Sequence, residues 1–262
     1  MKIKVKEIAA AIEEVAPLSL QESYDNAGMQ VGDPEMPVSA VLVCLDVTED
    51  ILNEAKEREC NLIVSHHPLI FKGLKHLTGS TSTERIVAEA IKSGIAIYSA
   101  HTNLDAASDG VSAEIAHTLN MCNLRPLRPD APGSDTGLGV LGDISPTPKM
   151  EFLRKLKDNF GVKALRYSSQ SPQIVVRKVA VCGGAGGGFI TDALAENADV
   201  YVTGDLKYHD FTTYGLDLLL ADIGHYESEL CSMKIFSKVI RQKYPDCLVC
   251  FAEHEVSPVA IC

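Results

Sequence analysis

Three short stretches place imidazoles and carboxylates at spacings suited to metal-ion chemistry. In IVSHHPLIF, His66 and His67 are adjacent at the end of an apolar run and are followed by Pro68. Two histidines leaving a strand end in this way can converge on one point, where their nitrogens suit Zn, Mn, Fe, Co or Ni. A loop or cap role is the plain alternative. In YSAHTNLDAASDG, His101 ends a second apolar run and Asp105 follows four residues later. A carboxylate there either bridges two cations or caps a helix. Asp109 suits the N-cap of a helix starting near Val111, which leaves Asp105 without an obvious structural task. In LLLADIGHYESELCSMK, His225 and Glu229 are four apart where a helix should begin. That spacing puts both on one face, as when one helix supplies two metal ligands; a surface helix start is the alternative. Glu227 points away as a solvated charge.

Taken together, these stretches supply four imidazoles, those of His66, His67, His101 and His225, and two carboxylates, with no thiolate beside them. The set suits two borderline metals, one carboxylate bridging ions roughly 3.5–4 Å apart, and the chemistry is metal-assisted hydrolysis. It is not a cysteine-type structural zinc site. Other signals weigh less. The run CGGAGGGF lacks both common phosphate-loop spacings and reads as a tight strand-to-helix turn bordering the site. Asp205, Lys207 and His209 in TGDLKYHD either orient a substrate, support ligands from behind, or are ordinary loop polarity. Ser65 lacks a partnered base, so serine nucleophile chemistry is not supported.

The elements that must position these residues follow an α/β pattern. Strands are expected at about 40–45, 61–65, 95–99, 178–182, 199–203, 217–221 and 247–251, and helices at about 48–59, 83–93, 109–119, 149–159, 188–197 and 227–243. Ligands in open α/β sheets gather beyond the carboxyl ends of strands. Asp46, His66, His67, His101, Asp105, Asp205, His225 and Glu229 all stand there. The Pro/Gly-rich stretch 125–142 reads as a linker. It divides a first lobe, about 1–124 plus 222–262, from a second, about 143–221, with the two-metal site between them.

The chain has 262 residues and a formal charge of −11, which disfavours nonspecific binding to nucleic acid or anionic lipid. No segment is apolar enough to span a bilayer. The N-terminal stretch has Val5, Ile8, Ile12 and Val15 at helical spacing, interrupted by glutamates, and reads as an amphipathic helix rather than a signal peptide. Eight scattered cysteines imply a reducing, cytoplasmic setting. Cys247 and Cys250 fall in an expected strand, whose alternation sends them to opposite faces, so a shared redox or metal role is poorly supported.

At this point the chain resembles the NIF3-like family (DUF34), also known as GTP cyclohydrolase I type 2 homologues. The resemblance rests on YDNAGMQVGD (24–33), IVSHHPLIFKGLKHL (63–77), SAHTNLDAASDGV (99–111), CGGAGGGFI (182–190), DVYVTGDLKYHD (199–210) and GHYESE (224–229). It implies a dinuclear centre held by His66, His67, Asp105, His225 and Glu229, and it places His101 near the metals. Some relatives carry the last glutamate one position earlier, where this chain has Ser228. Many have an arginine where this chain has Val140, so an anion-binding role there does not carry over. The resemblance also implies a ring-shaped homohexamer.

The combined expectation is a metal-dependent hydrolase of the GTP cyclohydrolase I type 2 kind, with two divalent ions per chain and a nucleotide or phosphorylated small-molecule substrate. Glu229 and His101 are its candidate catalytic groups. The rival expectation is a noncatalytic metal-delivery or assembly protein acting through a partner, with the same ligands.

Overall fold

The computed structural model describes residues 3–169 and 171–261. It is an α/β protein with two sheets, and the chain divides into two compact units. Cys262 lies outside the described residues. No described helix is long and apolar enough to cross a membrane.

The first unit comprises Met1–Leu104 and Ser232–Pro258. Its five strands are β1 (Gly28–Val31), β2 (Val41–Cys44), β3 (Leu62–Ser65), β4 (Ala96–Ser99) and β11 (Val249–Phe251), in the order β1-β4-β3-β2-β11. All neighbours are parallel except the β1–β4 pair. Every residue of β2, β3 and β4 is buried, as expected of parallel strands covered on both faces. Ile51, Leu52 and Ala55 of α2 (Glu49–Glu57), with Ile86, Val87 and Ala90 of α3 (Ser82–Ser93), build one core against the sheet. Helix starts are set by Thr48 and Thr81, whose side chains accept hydrogen bonds from Ile51 N and Glu84 N. The N-terminal stretch is helix α1 (Val5–Val15), with Val5, Ile8 and Ile12 buried. Helix α10 (Ser232–Lys243) completes this unit.

The second unit comprises Asp105–Cys231 and Val259–Cys262. Its sheet runs β5-β6-β8-β9-β10-β7, from β5 (Cys122–Pro129), β6 (Gly137–Pro148), β7 (Arg166–Tyr167), β8 (Val175–Val181), β9 (Val200–Thr203) and β10 (Leu219–Asp222). Only β8, β9 and β10 are mutually parallel. Helices α5 (Val111–Thr118), α6 (Lys149–Asn159), α7 (Ile190–Ala195), α8 (Tyr208–Tyr214) and α9 (His225–Glu229) belong here. Helix α4 (Thr102–Ala106) contains the residue pair, Leu104 and Asp105, where the first division falls.

Several expectations need correction. Residues 125–142 are not a linker: they lie largely in the antiparallel pair β5–β6, and β6 continues the sheet to β8. The first unit therefore stops at Leu104 rather than 124 and resumes at Ser232 rather than 222. The N-cap of α5 is Gly110, with no side-chain cap, not Asp109. The helix expected over 227–243 is two helices, α9 and α10. Cys247 precedes β11 rather than lying in it, so strand alternation does not apply to the pair, though both thiols are free.

Candidate metal centre

In the first unit, the carboxyl ends of the parallel strands β3 and β4 deliver a cluster of imidazoles. Backbone pairing continues past the strands, His66 N donating to Cys44 O at 3.3 Å and His67 N to Leu45 O at 3.0 Å. The Ser65 hydroxyl donates to His67 O at 2.9 Å and pairs with the Ser99 hydroxyl at 2.8 Å. The turn is thus fixed from both sides, and adjacent histidines can leave strand alternation together. The ring centroids of His66, His67 and His101 stand 5.1, 5.4 and 5.5 Å apart. His66 is fully buried.

Each of these rings is held at Nδ1 by an oxygen that accepts. The distances are 2.9 Å from His66 to Ala100 O, 2.8 Å from His67 to Asp46 Oδ1, and 2.8 Å from His101 to Asp25 Oδ1. A carbonyl or carboxylate can only accept, so Nδ1 carries the hydrogen and Nε2 presents its lone pair. This is how ligating histidines are oriented in metal sites. Burial pushes the Asp25 carboxyl up, but hydrogen bonds from His101 and Thr102 outweigh it and hold the group well below the usual range. Glu255 joins the same region from the C-terminal segment. Its Oε2 accepts from Leu45 N at 2.7 Å, and burial is the largest cause that raises its carboxyl.

In the second unit, the ends of β9 and β10 deliver a second donor set. His225 Nδ1 meets Asp205 Oδ2 at 2.8 Å, and its Nε2 lies 3.0 Å from Glu229 Oε2 on the next turn of α9. Asp205 holds a left-handed backbone, φ 55°, which brings its carboxylate to the ring. Asp222 braces both loops, accepting from Leu206 N and from Gly224 N at 3.0 Å each and pairing with Arg166. Asp105 and Glu229 share electrostatic neighbours. Burial first, then the Asp105 charge and, more weakly, that of Glu229, push the Cys182 thiol up to about 12. Cys231 is pushed up to about 12 by burial, then by Glu114, Glu229 and Asp105. The two cysteines beside this set are therefore held as thiols, not thiolates.

The glycine run after β8 forms the other wall. Gly184, at φ +61°, passes so close that a Cβ would stand 2.1 Å from Glu229 Oε1. Gly184 N donates to the Ser228 hydroxyl at 2.9 Å. The loop then enters a 3-10 turn (Gly186–Phe189) and α7. Its job is to leave room for a carboxylate.

Of the residues expected from sequence, the structure groups His66, His67 and His101 in the first unit and His225 with Glu229 in the second. Asp105 shares neighbours with Glu229. His66 and His67 in the first unit and Glu229 in the second each offer an atom of a kind that ligates metal ions. Lys207 N donates to Asp210 Oδ2 at 2.7 Å, and the His209 ring packs edge-on against Tyr208 at 5.4 Å. Asp25 and Glu255 escape the sequence reading: each is remote in sequence from its partner, although Asp25 sits in the YDNAGMQVGD block.

The sequence pattern of Duf34/NIF3 (NGG1p interacting factor 3) matches residues 3–258. The chain is 33% identical over 241 residues to a GTP cyclohydrolase 1 type 2 homolog of Clostridium acetobutylicum, covering 91% of this chain and 90% of that one. It is 36% identical over 231 residues to the homolog of Clostridium perfringens, 87% of each. A crystal structure of a Staphylococcus aureus hypothetical protein superimposes with a TM-score of 0.90 at 25% identity, covering 100% of both chains.

Proposed function

Because this chain belongs to the Duf34/NIF3 family, we propose that it is a dinuclear divalent-metal hydrolase acting on a nucleotide or phosphorylated small molecule. His66, His67, Asp105, His225 and Glu229 are the ligands, and the two donor sets serve one centre. One observation carries the reading: the three ligand imidazoles each have Nδ1 fixed 2.8–2.9 Å from an accepting oxygen, the arrangement that aims Nε2 at a cation. The donor chemistry fits, since imidazole and carboxylate together suit Zn, Mn, Fe, Co or Ni.

When bound, such ions lower the pKa of water toward neutrality and stabilise developing negative oxygen. The protein's own groups do the rest. Asp105 and Glu229 neutralise charge where the cations sit. His101 takes a proton at Nε2, because Asp25 keeps the hydrogen on Nδ1 and stabilises the imidazolium that results. Glu229, lying 3.0 Å from His225 Nε2, is the second proton-accepting group. A homohexamer is part of the same reading, checked by light scattering for the mass of six chains.

The test is a screen of metal-loaded protein against nucleotides and phosphoesters, with metal content measured on the same sample and His66→Ala as control. Turnover that follows metal content and disappears in the variant supports the proposal. Two bound ions without turnover of any substrate would favour the noncatalytic metal-delivery reading.

A further inference from the structure

Beside the imidazole cluster of the first unit stands an exposed aromatic wall. Phe71 packs edge-on against His101 with ring centroids 6.1 Å apart, and Tyr24 packs edge-on against Phe71 at 6.5 Å. Both are large rings left open, Tyr24 63% and Phe71 43% exposed. They are not loosely placed. Asn26 Nδ2 donates to Ile70 O at 2.7 Å, and Ile70 N donates to Gln30 Oε1 at 3.1 Å. These bonds clamp the turn carrying Phe71 to the segment carrying Tyr24 and Asp25.

The same turn continues as Lys72, Gly73, Leu74, Lys75, His76. Lys72 and Lys75 are exposed, and among the described residues neither forms an ion pair. In a chain of net charge −11, two exposed lysines one and four residues after Phe71 are charges available to an anion. Exposed aromatic faces take planar rings. A ring and a phosphate on one small molecule would satisfy both.

We propose that Tyr24 and Phe71 stack the base of a nucleoside phosphate while Lys72 and Lys75 neutralise its phosphate, a substrate subsite of the centre proposed above. It rests on that reading for its role, but its binding chemistry belongs to the first unit alone.

The experiment is calorimetric titration of the full chain with guanosine 5′-monophosphate, guanosine and ribose 5-phosphate, with metal content measured on each sample. The nucleotide should bind more tightly than either fragment. Phe71→Ala should weaken nucleotide and guanosine about tenfold or more, leave ribose 5-phosphate unchanged, and be rescued by Phe71→Tyr. The double variant Lys72→Gln/Lys75→Gln should weaken nucleotide and ribose 5-phosphate, flatten the salt dependence, and spare guanosine. Undetectable nucleotide binding, or binding indifferent to both variants, overturns the subsite. Metal-loaded protein without the ring-and-phosphate pattern sinks this proposal alone; the pattern without metal uptake sinks the metal reading and leaves the subsite standing.

Discussion

Gly184→Ala adds one methyl group, and the structure fixes what that methyl meets. The new Cβ would lie 2.1 Å from Glu229 Oε1, whereas ordinary contact begins near 3.4 Å. The carboxylate must retreat by about 1.3 Å, while a metal–ligand distance tolerates about 0.2 Å. Relief is cheap for the fold, because the atom that moves is the end of a side chain. It is ruinous for ligation, because Glu229 is 2% exposed and is already set against His225 Nε2.

The backbone adds a separate cost. Alanine at φ +61° loses about 1–2 kcal/mol relative to glycine, and in a chain of this size each kcal/mol lowers Tm by about 2–4 °C. Metal-free Gly184→Ala should therefore melt about 2–8 °C below wild type in calorimetry while remaining cooperatively folded. Elemental analysis after reconstitution with excess Mn or Zn and desalting should show loss of at least one ion per chain. A folded variant with the expected Tm fall and full metal content would refute the reasoning, since Glu229 would then not be a ligand.

Other substitutions separate roles within the set. If Asp105 bridges two cations, Asp105→Ala should lose both and His225→Ala chiefly one; calorimetric stoichiometry near neutral pH, with circular dichroism to confirm folding, decides it, and two tight sites kept in folded Asp105→Ala would overturn the bridge. Glu54 is buried, but backbone donation from His254 and Glu253 and the Arg58 guanidinium outweigh the burial penalty and hold its carboxyl below the usual range. A depressed folded pKa gives stability that is complete above the unfolded value, about 4.3. The Tm gap between wild type and Glu54→Gln should thus be full at pH 7 and close as pH falls below about 4; a gap independent of pH would contradict it. Thiol counting under denaturing, non-reducing conditions should return all eight cysteines as free, and two fewer mapped to Cys247 and Cys250 would overturn their assignment as unlinked.

The donor residues are legible because they sit where parallel strands end. The runs AVLVCL, NLIVS and IAIYS are largely apolar; Asp46 and His66-His67 follow the first two at once, and His101 follows the third after Ala100. Strands with exposed or punctuated sequences are harder to read. The β5–β6 pair carries Pro126, Pro129, Gly137 and Gly139 and looks like a linker. Yet β5 is an edge strand, paired on one side only, where proline costs nothing to a second neighbour. Gly137 is demanded by contact: a Cβ there would meet Arg128 O at 2.2 Å. Strand β1 escapes notice for a related reason, being a short antiparallel edge of four residues buried only at its two ends.

The histidine-orienting acids show where local reading stops. Asp46 and Asp205 follow strands, so their positions announce proximity, but nothing in the spacing says that each holds an Nδ1. Asp25 gives less: it lies 76 residues from His101, in the loop that leads to β1. Only the β1–β4 pairing, Gly28 opposite Ser99, brings that loop to the end of β4. The pairing explains more than one contact. Thr102 N and its hydroxyl donate to Asp25 Oδ2, Thr102 Oγ1 accepts from Glu22 N, and Asn103 Nδ2 donates to Ala16 O at 2.7 Å. The residues after β4, His101 among them, are therefore tied repeatedly to the segment before β1. A single edge strand, the weakest signal in the sequence, sets the orientation of a candidate proton acceptor and positions Tyr24 beside Phe71.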